Sequence, residues 1–441
     1  MADLRAGSLG IVATTAQSIA SMAPAAAIAF GLGAAVPHAG AALPLAVVIA
    51  MAVCTIVALS LAKLAAKAPS AGGQVAAIGH ALGPRVGWLA GWLASFAYLL
   101  VTPATLLVLA LFTDSFLREG FHVSMGAHGW IVYVLVYAAI VALLTGLGVK
   151  VSSRATMIFG VIELLIFLAL AITLIVSSPA VPHVFTPSAS PTGWSGVLFG
   201  MLFVFSAFIG FESSTTYGEE TRAPERVIPR AVVGAAIAIG GVFVLCAYAA
   251  VAGWGPEHID TYFKDLSPWI TMSMRVWGPA GAAAVIFAIL NSGLGGTVVT
   301  VNAGGRILYA MAREGSLPKA LAATTRRQTP IAVLPLVAIG AIIAIAAGLI
   351  AEPINGLIIV GASSVVPVLL VYIAICVGAA VVAWRERRIV PALVPLIAAV
   401  ALGGVIYMQF VPRPAPPQDL VGPIDAVWLV IGLAVLVFRK A

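Results

Sequence analysis

The sequence predicts an all-α, polytopic membrane protein with twelve transmembrane helices. Three observations carry that expectation. Of 441 residues, 62% are hydrophobic and only 9% are charged, whereas soluble domains run about 25% charged. Apolar runs of about 18 residues or more recur from end to end. Those runs are continuous and rich in Ala, Leu and Val, not alternating over about ten residues as the strands of a membrane barrel would.

The spans are expected at 10–36, 41–66, 85–117, 128–148, 155–177, 193–218, 228–253, 279–311, 331–351, 354–384, 389–411 and 424–438. The first is too long for a signal-peptide core, so no cleavable leader is expected. It contains QSIASMAPAAAIAF, where Ser21, Pro24 and a string of small residues interrupt good helix. The second is uninterrupted. The third is unusually long, and so is the eighth, at 33 residues each; about 20 suffice to cross. The fifth carries a carboxyl group, Glu163, deep in VIELLIF. The sixth contains FSAFIGFESS, where Gly210 and Glu212 interrupt the run, and a densely charged stretch leads into the seventh. The last four read as plain apolar helices.

The sixth span follows the first by five, and an odd offset reverses its direction through the membrane. Interrupted helices at corresponding positions of two inverted halves point to the central binding site of a secondary transporter. The chain then divides into a first repeat (10–177), an inverted second repeat (193–384) and an added helical pair (389–438).

The net charge of +7 raises the question of nucleic acid, and its distribution answers it. With the N-terminus placed inside, 19 of the 23 Lys and Arg residues, from Arg5, Lys150 and Arg154 to Arg439 and Lys440, fall on the inner side. Arg118, Lys264, Arg275 and Arg413 fall outside. The positive-inside rule accounts for this excess; both termini are expected in the cytoplasm, the lipid bilayer is the partner, and no nucleic acid is needed. Cys54, Cys246 and Cys376 all lie within spans and suit small apolar packing. The six histidines show no metal spacing, and no phosphate-binding or nucleophile motif is present. No metal, cofactor or catalytic site is expected.

Three stretches carry a family resemblance. FIGFESSTTYGEETRAPERVIPRA (208–231) resembles the signature of the amino acid–polyamine–organocation permease superfamily, a G-[FV]-[ED] motif followed by acids and P-x-x-x-I-P-R-A. NAGGRILYAMAREGSLP (302–318) and GQVAAIGHALGPRVGWLAGW (73–92) are similar to two further stretches of that family. The resemblance covers essentially the whole chain and implies a leucine-transporter-like fold, a five-plus-five inverted repeat with broken helices 1 and 6. It implies secondary active transport, a symporter at the plasma membrane importing an amino acid or related small amine with H+ by alternating access. The chain also departs from the family pattern. SMAPAAAIAF replaces the glycine-rich break of many amino acid carriers and looks more like the putrescine and amine importers, as do Tyr98 and Pro103. Ser206 stands where some members carry a tryptophan gate, and Glu163 matches the position of a helix 5 lysine. A polyamine or putrescine importer and an amino acid exchanger are the alternatives within this fold.

A broken helix leaves backbone groups unpaired at mid-membrane, tolerable only beside protein or a wet cavity. The N–H end of a second half-helix suits an anionic group of the ligand, and the C=O end of a first half suits a cation. The expected substrate-binding residues are therefore Ser21, Met22, Ala23, Pro24 and Ala25 in the first span, and Phe205, Ser206, Ala207, Phe208 and Gly210 in the sixth. Tyr98 is expected to add an aromatic wall and a hydroxyl. Pro24 lacks an N–H, which weakens carboxylate recognition. Glu163 and Glu212 are the two candidate proton-coupling acids. Glu163 reads either as the coupling site or as a structural acid bonded to a neighbouring helix; Glu212 leans towards support or gating. Glu219, Glu220, Arg222, Arg226 and Arg230 read either as a cytoplasmic gate of ion pairs or as a solvated loop, and Arg306 and Arg313 lean to the solvated reading. An ion channel is the competing function of another class; it would repeat one filter around a pore, whereas the breaks here run antiparallel. The sequence offers no constellation for an enzyme.

Overall fold

The computed structural model describes residue 4 and residues 7–146, 149–265, 267–411 and 413–438, without the side chains of 119–121, 149–156 and 438. Arg5, Arg439 and Lys440, and the side chains of Lys150 and Arg154, therefore lie outside the described part. Among the described residues the structure is helical; the only β pairing is the isolated bridges Leu9↔Thr221 and Thr324↔Pro330.

Among the described residues, eleven helical stretches are long and apolar enough to cross a membrane. The first, Ile11–Ala65, is 55 residues long and contains both of the first two expected spans. Within it, α1 (Ile11–Ser21) stops at Met22–Ala23. Helix resumes as α2 (24–39), which starts at Pro24 and winds as a π-helix over Ala27–Leu32. Gly40 turns the chain at φ +57° into α3 (Leu43–Ala65). A short α4 (Gln74–Leu82) leads into α5 (Pro84–Phe121), followed by α6 (Gly129–Gly146) and α7 (Val149–Ser177).

After a 3-10-rich connection comes α8 (Trp194–Phe208), which breaks into the 3-10 segment Phe211–Tyr217. Then follow α9 (Pro224–Trp254), α10 (Pro268–Arg313, bent at Gly278), α11 (Val333–Ala351), α12 (Pro353–Arg385), α13 (Ile389–Phe410) and α14 (Val421–Phe438). Pro84, Pro224, Pro268 and Pro353 each open a helix, where the missing N–H costs nothing and the fixed φ is already helical.

The two over-long spans are found as α5, of 38 residues, and α10, of 46. At 1.5 Å per residue, α5 is about 57 Å long against a hydrocarbon core of about 30 Å. These two helices pack on each other, and α9 lies along α3. The broken pair sits inside this frame: α1 packs against α7, α9, α10 and the 3-10 segment. Small residues let the backbones close up. A methyl group on Gly200 would stand 2.9 Å from Ala39 Cβ, which joins α8 to α2.

Candidate functional site

The two breaks are built by different local chemistry. At the first, Ala23 takes a left-handed conformation (φ 44°, ψ 63°) ahead of Pro24. The residue before a proline is pushed out of the right-handed helical region, so Pro24 ends α1. At the second, Ile209 is extended (φ −58°, ψ 127°) and Gly210 has φ +119°, a conformation that favours glycine. Gly210 also lies directly against the first break. A Cβ there would stand 2.6 Å from the Ser21 carbonyl carbon and 2.8 Å from Met22 N. The breaks therefore meet backbone to backbone, at a point where no larger residue fits.

Serines and threonines fasten the junction. Ser18 Oγ donates to the Phe211 carbonyl (2.5 Å) and accepts from Ser214 N–H (3.2 Å). Ser213 Oγ donates to Ser21 Oγ (2.7 Å), and Ser21 and Thr300 hydroxyls lie 3.4 Å apart, which ties α10 to the same point.

Most N–H groups at the two breaks already have acceptors. Ala23 N–H donates to Ala20 O and Ala27 N–H to Ala23 O. Pro24 has no N–H to give, and Ala25 N–H donates to Ser292 Oγ at 3.1 Å. In the second break, Ile209 N–H donates to Ser206 O, and Ser213 N–H to Gly210 O. Gly210 N–H donates to Glu212 Oε2 at 3.0 Å. The donors that would hold a ligand's carboxylate are thus largely committed, and at the second break the chain's own carboxyl group takes one of them.

Two buried acids, Glu212 and Glu163, flank this junction. Glu212 is fully enclosed and accepts from Gly210 N–H, from Tyr98 Oη–H (3.0 Å) and from Tyr372 Oη–H (2.7 Å). It links α5, α12 and the second break. Glu163, on α7, accepts from Asn291 Nδ2 (2.6 Å) and Ser292 Oγ (2.8 Å) of α10. Ser292 Oγ in turn accepts Ala25 N–H, so a single hydroxyl connects the Glu163 carboxyl group to the first turn of α2. Arg306 is the only buried lysine or arginine among the described residues, and it is committed to Glu220.

That pair closes the arginine-rich end of the bundle. Arg306 Nε and Nη2 donate to Glu220 at 2.6 and 3.1 Å, and Nη1 donates to Asn302 O at 2.9 Å. The guanidinium lies 4.1 Å from the centroid of the Tyr217 ring. Both charged side chains are almost wholly buried. Beside them Glu219 takes two hydrogen bonds from Arg313 (2.6 and 3.0 Å) and one from Ala71 N–H. Burial works against the charge on Glu219, but these donors outweigh it and hold the carboxyl group below its usual range. The chain start also docks here. Leu9 N–H donates to Glu220 O, Arg222 N–H to Leu9 O, and Arg222 Nε to Gly7 O.

The structure sorts the expected site residues. Ser21, Met22, Ala23, Pro24, Ala25 and Gly210 lie at the junction itself. Ser206 Oγ donates to Phe203 O, and Ser206 and Ala207 face Gly31 on α2. Phe205 is buried. Phe208 turns away from the first break and packs edge-on against Phe243 of α9, at 5.3 Å. The Tyr98 hydroxyl is engaged by Glu212.

The acids of the charged stretch do not pair with its own bases. They reach Arg306 and Arg313 on α10, the two arginines expected to be solvated, while Arg226 and Arg230 lie exposed with no ion pair among the described residues. The reason is burial: an enclosed carboxylate needs a partner that the core can hold fixed, and α10 supplies one.

Asn291, Ser292 and Tyr372 escaped the sequence reading. The Asn-Ser pair inside an apolar span was the signal that could have found the first two; a tyrosine in a hydrophobic run gives none. Among the described residues no group of three or more His, Cys, Asp or Glu could hold a metal.

Comparison with known proteins agrees with this arrangement. The family model described as amino acid permease matches residues 9–437. A branched-chain amino acid permease of Lactococcus lactis is 29% identical over 183 residues, 40% of this chain and 38% of that protein. A D-serine/D-alanine/glycine transporter of Escherichia coli is 31% identical over 142 residues, 32% of this chain and 29% of that protein. An uncharacterised transporter of Mycobacterium tuberculosis is 30% identical over 284 residues, 63% of this chain and 62% of that protein. Each match spans less than two-thirds of the relative's own length.

Proposed function

The chain belongs to the amino acid permease family and is a multi-pass membrane transporter, not an enzyme; from that premise we propose that it is a proton-coupled importer of a small ammonium-bearing solute. The solute is an amino acid or a related amine, carried through the plasma membrane by alternating access. The observation that carries this reading is the backbone contact of two helix breaks with a buried acid on either flank. Such a junction leaves no room for a continuous pore and concentrates polar backbone at one point, as a central carrier site requires.

The count of helices fits the same reading. A stretch of 55 residues is about 80 Å of helix, enough for two crossings joined at Gly40. With Ile11–Ala65 counted twice, twelve passages result, arranged as repeats 10–177 and 193–384 with the pair 389–438 added. The arginine-rich end is then cytoplasmic, and the Glu220–Arg306 pair is an inner gate closed in this conformation. Glu219 and Arg222 brace it, while Arg226 and Arg230 face the solvent or the lipid headgroups.

Two of the relatives are named for branched-chain amino acids and for D-serine, D-alanine and glycine, which are neutral amino acids. In this chain the N–H donors at the breaks are largely engaged, two acids flank them and no free base is buried nearby. That electrostatics favours recognition through the ammonium group, with the carboxylate held weakly. Glu163 is the coupling acid. Its Ser292 contact gives a route from its proton to the first turn of α2, because a neutral Glu163 would offer Ser292 a donor and turn the hydroxyl that accepts Ala25 N–H. One proton entering down about 100 mV supplies about 2.3 kcal/mol, enough for roughly fifty-fold accumulation.

The test is uptake of a labelled amino acid and amine panel by the purified protein in proteoliposomes, with and without a pH gradient. Saturable uptake driven by the gradient is expected. Glu163→Gln should lose gradient-driven uptake and keep exchange of preloaded substrate. Unchanged gradient-driven uptake by Glu163→Gln would remove the coupling role, and large unitary currents would replace the carrier with a channel.

A further inference from the structure

A second cavity lies outside the junction. It is a cleft of about 740 Å³ between α1, α6, α7 and α10, within the 300–1,000 Å³ that holds a drug-sized molecule. Its walls are almost wholly apolar. Ile19, Leu144, Leu164, Leu290 and Leu294 line its depth. Ile11, Val12, Phe159, Val161 and Phe287 also line it and are exposed on the outside of the bundle. The cleft therefore opens sideways, on the face of α7 where Ile158, Leu165 and Ile172 also stand exposed. That face is the one a bilayer would cover. At the inner end stands Glu163, with Asn291 and Ser292 beside it. Among the described residues no Lys, Arg or His lines the cleft.

We propose that this cleft is a binding site for lipophilic amines, membrane-borne organic cations whose ammonium group meets Glu163 while the hydrocarbon part fills the apolar walls. Charge complementarity selects the occupant. Among the described residues the lining has one carboxyl group and no base, so with that group ionised a cationic head is favoured, a neutral one is indifferent and an anionic one is repelled. The Glu163 carboxyl group has acceptor capacity to spare: it offers about four lone-pair sites, and Asn291 and Ser292 occupy two of them. The tail alone gives little discrimination, because hydrocarbon leaving lipid for an apolar cleft gains no hydrophobic driving force. Specificity must come from the head. A bound amine would also wedge the space behind α1, one turn from the break at Met22–Ala23, so occupancy should slow transport. The cleft and its acid are there whatever solute the central site carries, so binding is separable from the transport reading.

The experiment uses the full chain in nanodiscs of zwitterionic lipid. Dodecyldimethylamine, dodecanol and dodecanoate are added at matched mole fractions in the membrane, and the melting midpoint is followed. The amine should stabilise saturably, with half-effect at a mole fraction about tenfold or more below that of the alcohol; the carboxylate should have the least effect. Glu163→Gln should bring the amine to the level of the alcohol. Gly160 lines the cleft, and nothing lies within 4 Å of the position a Cβ would take there. Gly160→Leu should therefore fill the cleft and abolish saturable stabilisation by the amine with Glu163 intact. Equal effects of amine and alcohol on the wild type would mean an ordinary lipid-filled crevice and overturn the proposal. So would a carboxylate as effective as the amine, or Gly160→Leu binding the amine unchanged. If Glu163→Gln does not fold, the head-group series on the wild type and the Gly160→Leu variant decide the matter.

Discussion

Replacing Gly210 by alanine tests the central feature of the fold, the contact between the two breaks. The added Cβ would lie 2.6 Å from Ser21 C, 2.8 Å from Met22 N and 2.8 Å from Ser21 O. All three are backbone atoms, and no rotamer change can move them aside. The residue would also have to hold φ +119°. A non-glycine residue in so sparsely populated a region costs about 1–3 kcal/mol. Overpacking a tight contact costs about another 1–3 kcal/mol, so the whole is about 2–6 kcal/mol. At about 2.1 cal/mol/K of unfolding entropy per residue, a chain of 441 residues loses roughly 1 °C per kcal/mol. The melting midpoint of the purified protein in detergent should therefore fall by about 2–6 °C. Uptake in proteoliposomes should fall much further, because relief of the clash parts Ser213 from Ser21 and Ser214 from Ser18. Gly241 is the control: it sits in α9 with nothing within 4 Å of its Cβ position. Gly241→Ala should be neutral or stabilise by about 0.5–1 kcal/mol, the usual helical preference for alanine. A Gly210→Ala protein that melts within about 1 °C of the wild type and transports normally would refute the backbone contact.

Two further outcomes follow from the arginine-rich end. Glu220→Gln leaves the Arg306 guanidinium buried without its counter-charge and should destabilise by about 3–5 kcal/mol, whereas Glu220→Leu with Arg306→Met should recover most of that loss. Thermal melting of the single and double variants checks this, and a double variant no better than the single would show that the buried charge is not what costs the stability. For Glu219 the sign is set by its lowered titration range. A depressed carboxyl group stabilises the fold above its unfolded value of about 4.3 and loses that contribution as pH falls through the folded value. The melting difference between wild type and Glu219→Gln should be constant from pH 6 to 8, begin to shrink as pH falls below about 4.3, and disappear only below the depressed folded value; a difference that changes between pH 6 and 8 would assign the effect to another group.

Much of this was readable in the sequence, and the missing part has a physical explanation. Lipid forces every span to satisfy its own backbone, so spans announce themselves by hydropathy, and a Pro or a Gly-x-Glu inside one announces a break. That is why Pro24 and Gly210 were legible, and why the long third and eighth spans were found again as α5 and α10. Partnership across helices is not written locally. Glu220 lies 86 residues from Arg306 and Glu163 lies 129 from Ser292, and nothing in either local sequence names its mate. Phe208 was less legible: its place beside the break suggested a face towards the substrate, and the structure shows its ring against Phe243 of α9. The charged stretch misled for a related reason. Alternating acids and bases suggest local pairing, yet Glu220 is buried against the fixed guanidinium of Arg306, Glu219 takes the half-exposed Arg313, and Arg226 and Arg230 remain exposed.

The two buried acids divide the work of the junction, and their bonding explains how. Glu212 is held by a backbone N–H and by two tyrosine hydroxyls carried on α5 and α12. All three donors point at one carboxyl group, and its geometry does what a helix cap does: it closes the N–H end of the second break. Glu163 is held by the Asn291 amide and the Ser292 hydroxyl, with Ala25 N–H beside it. The hydroxyl can turn from donor to acceptor without moving its oxygen, so protonation there keeps the pair bonded and reverses its polarity next to the first turn of α2. This bonding supports the proposal that Glu163 is the coupling acid and Glu212 a structural one.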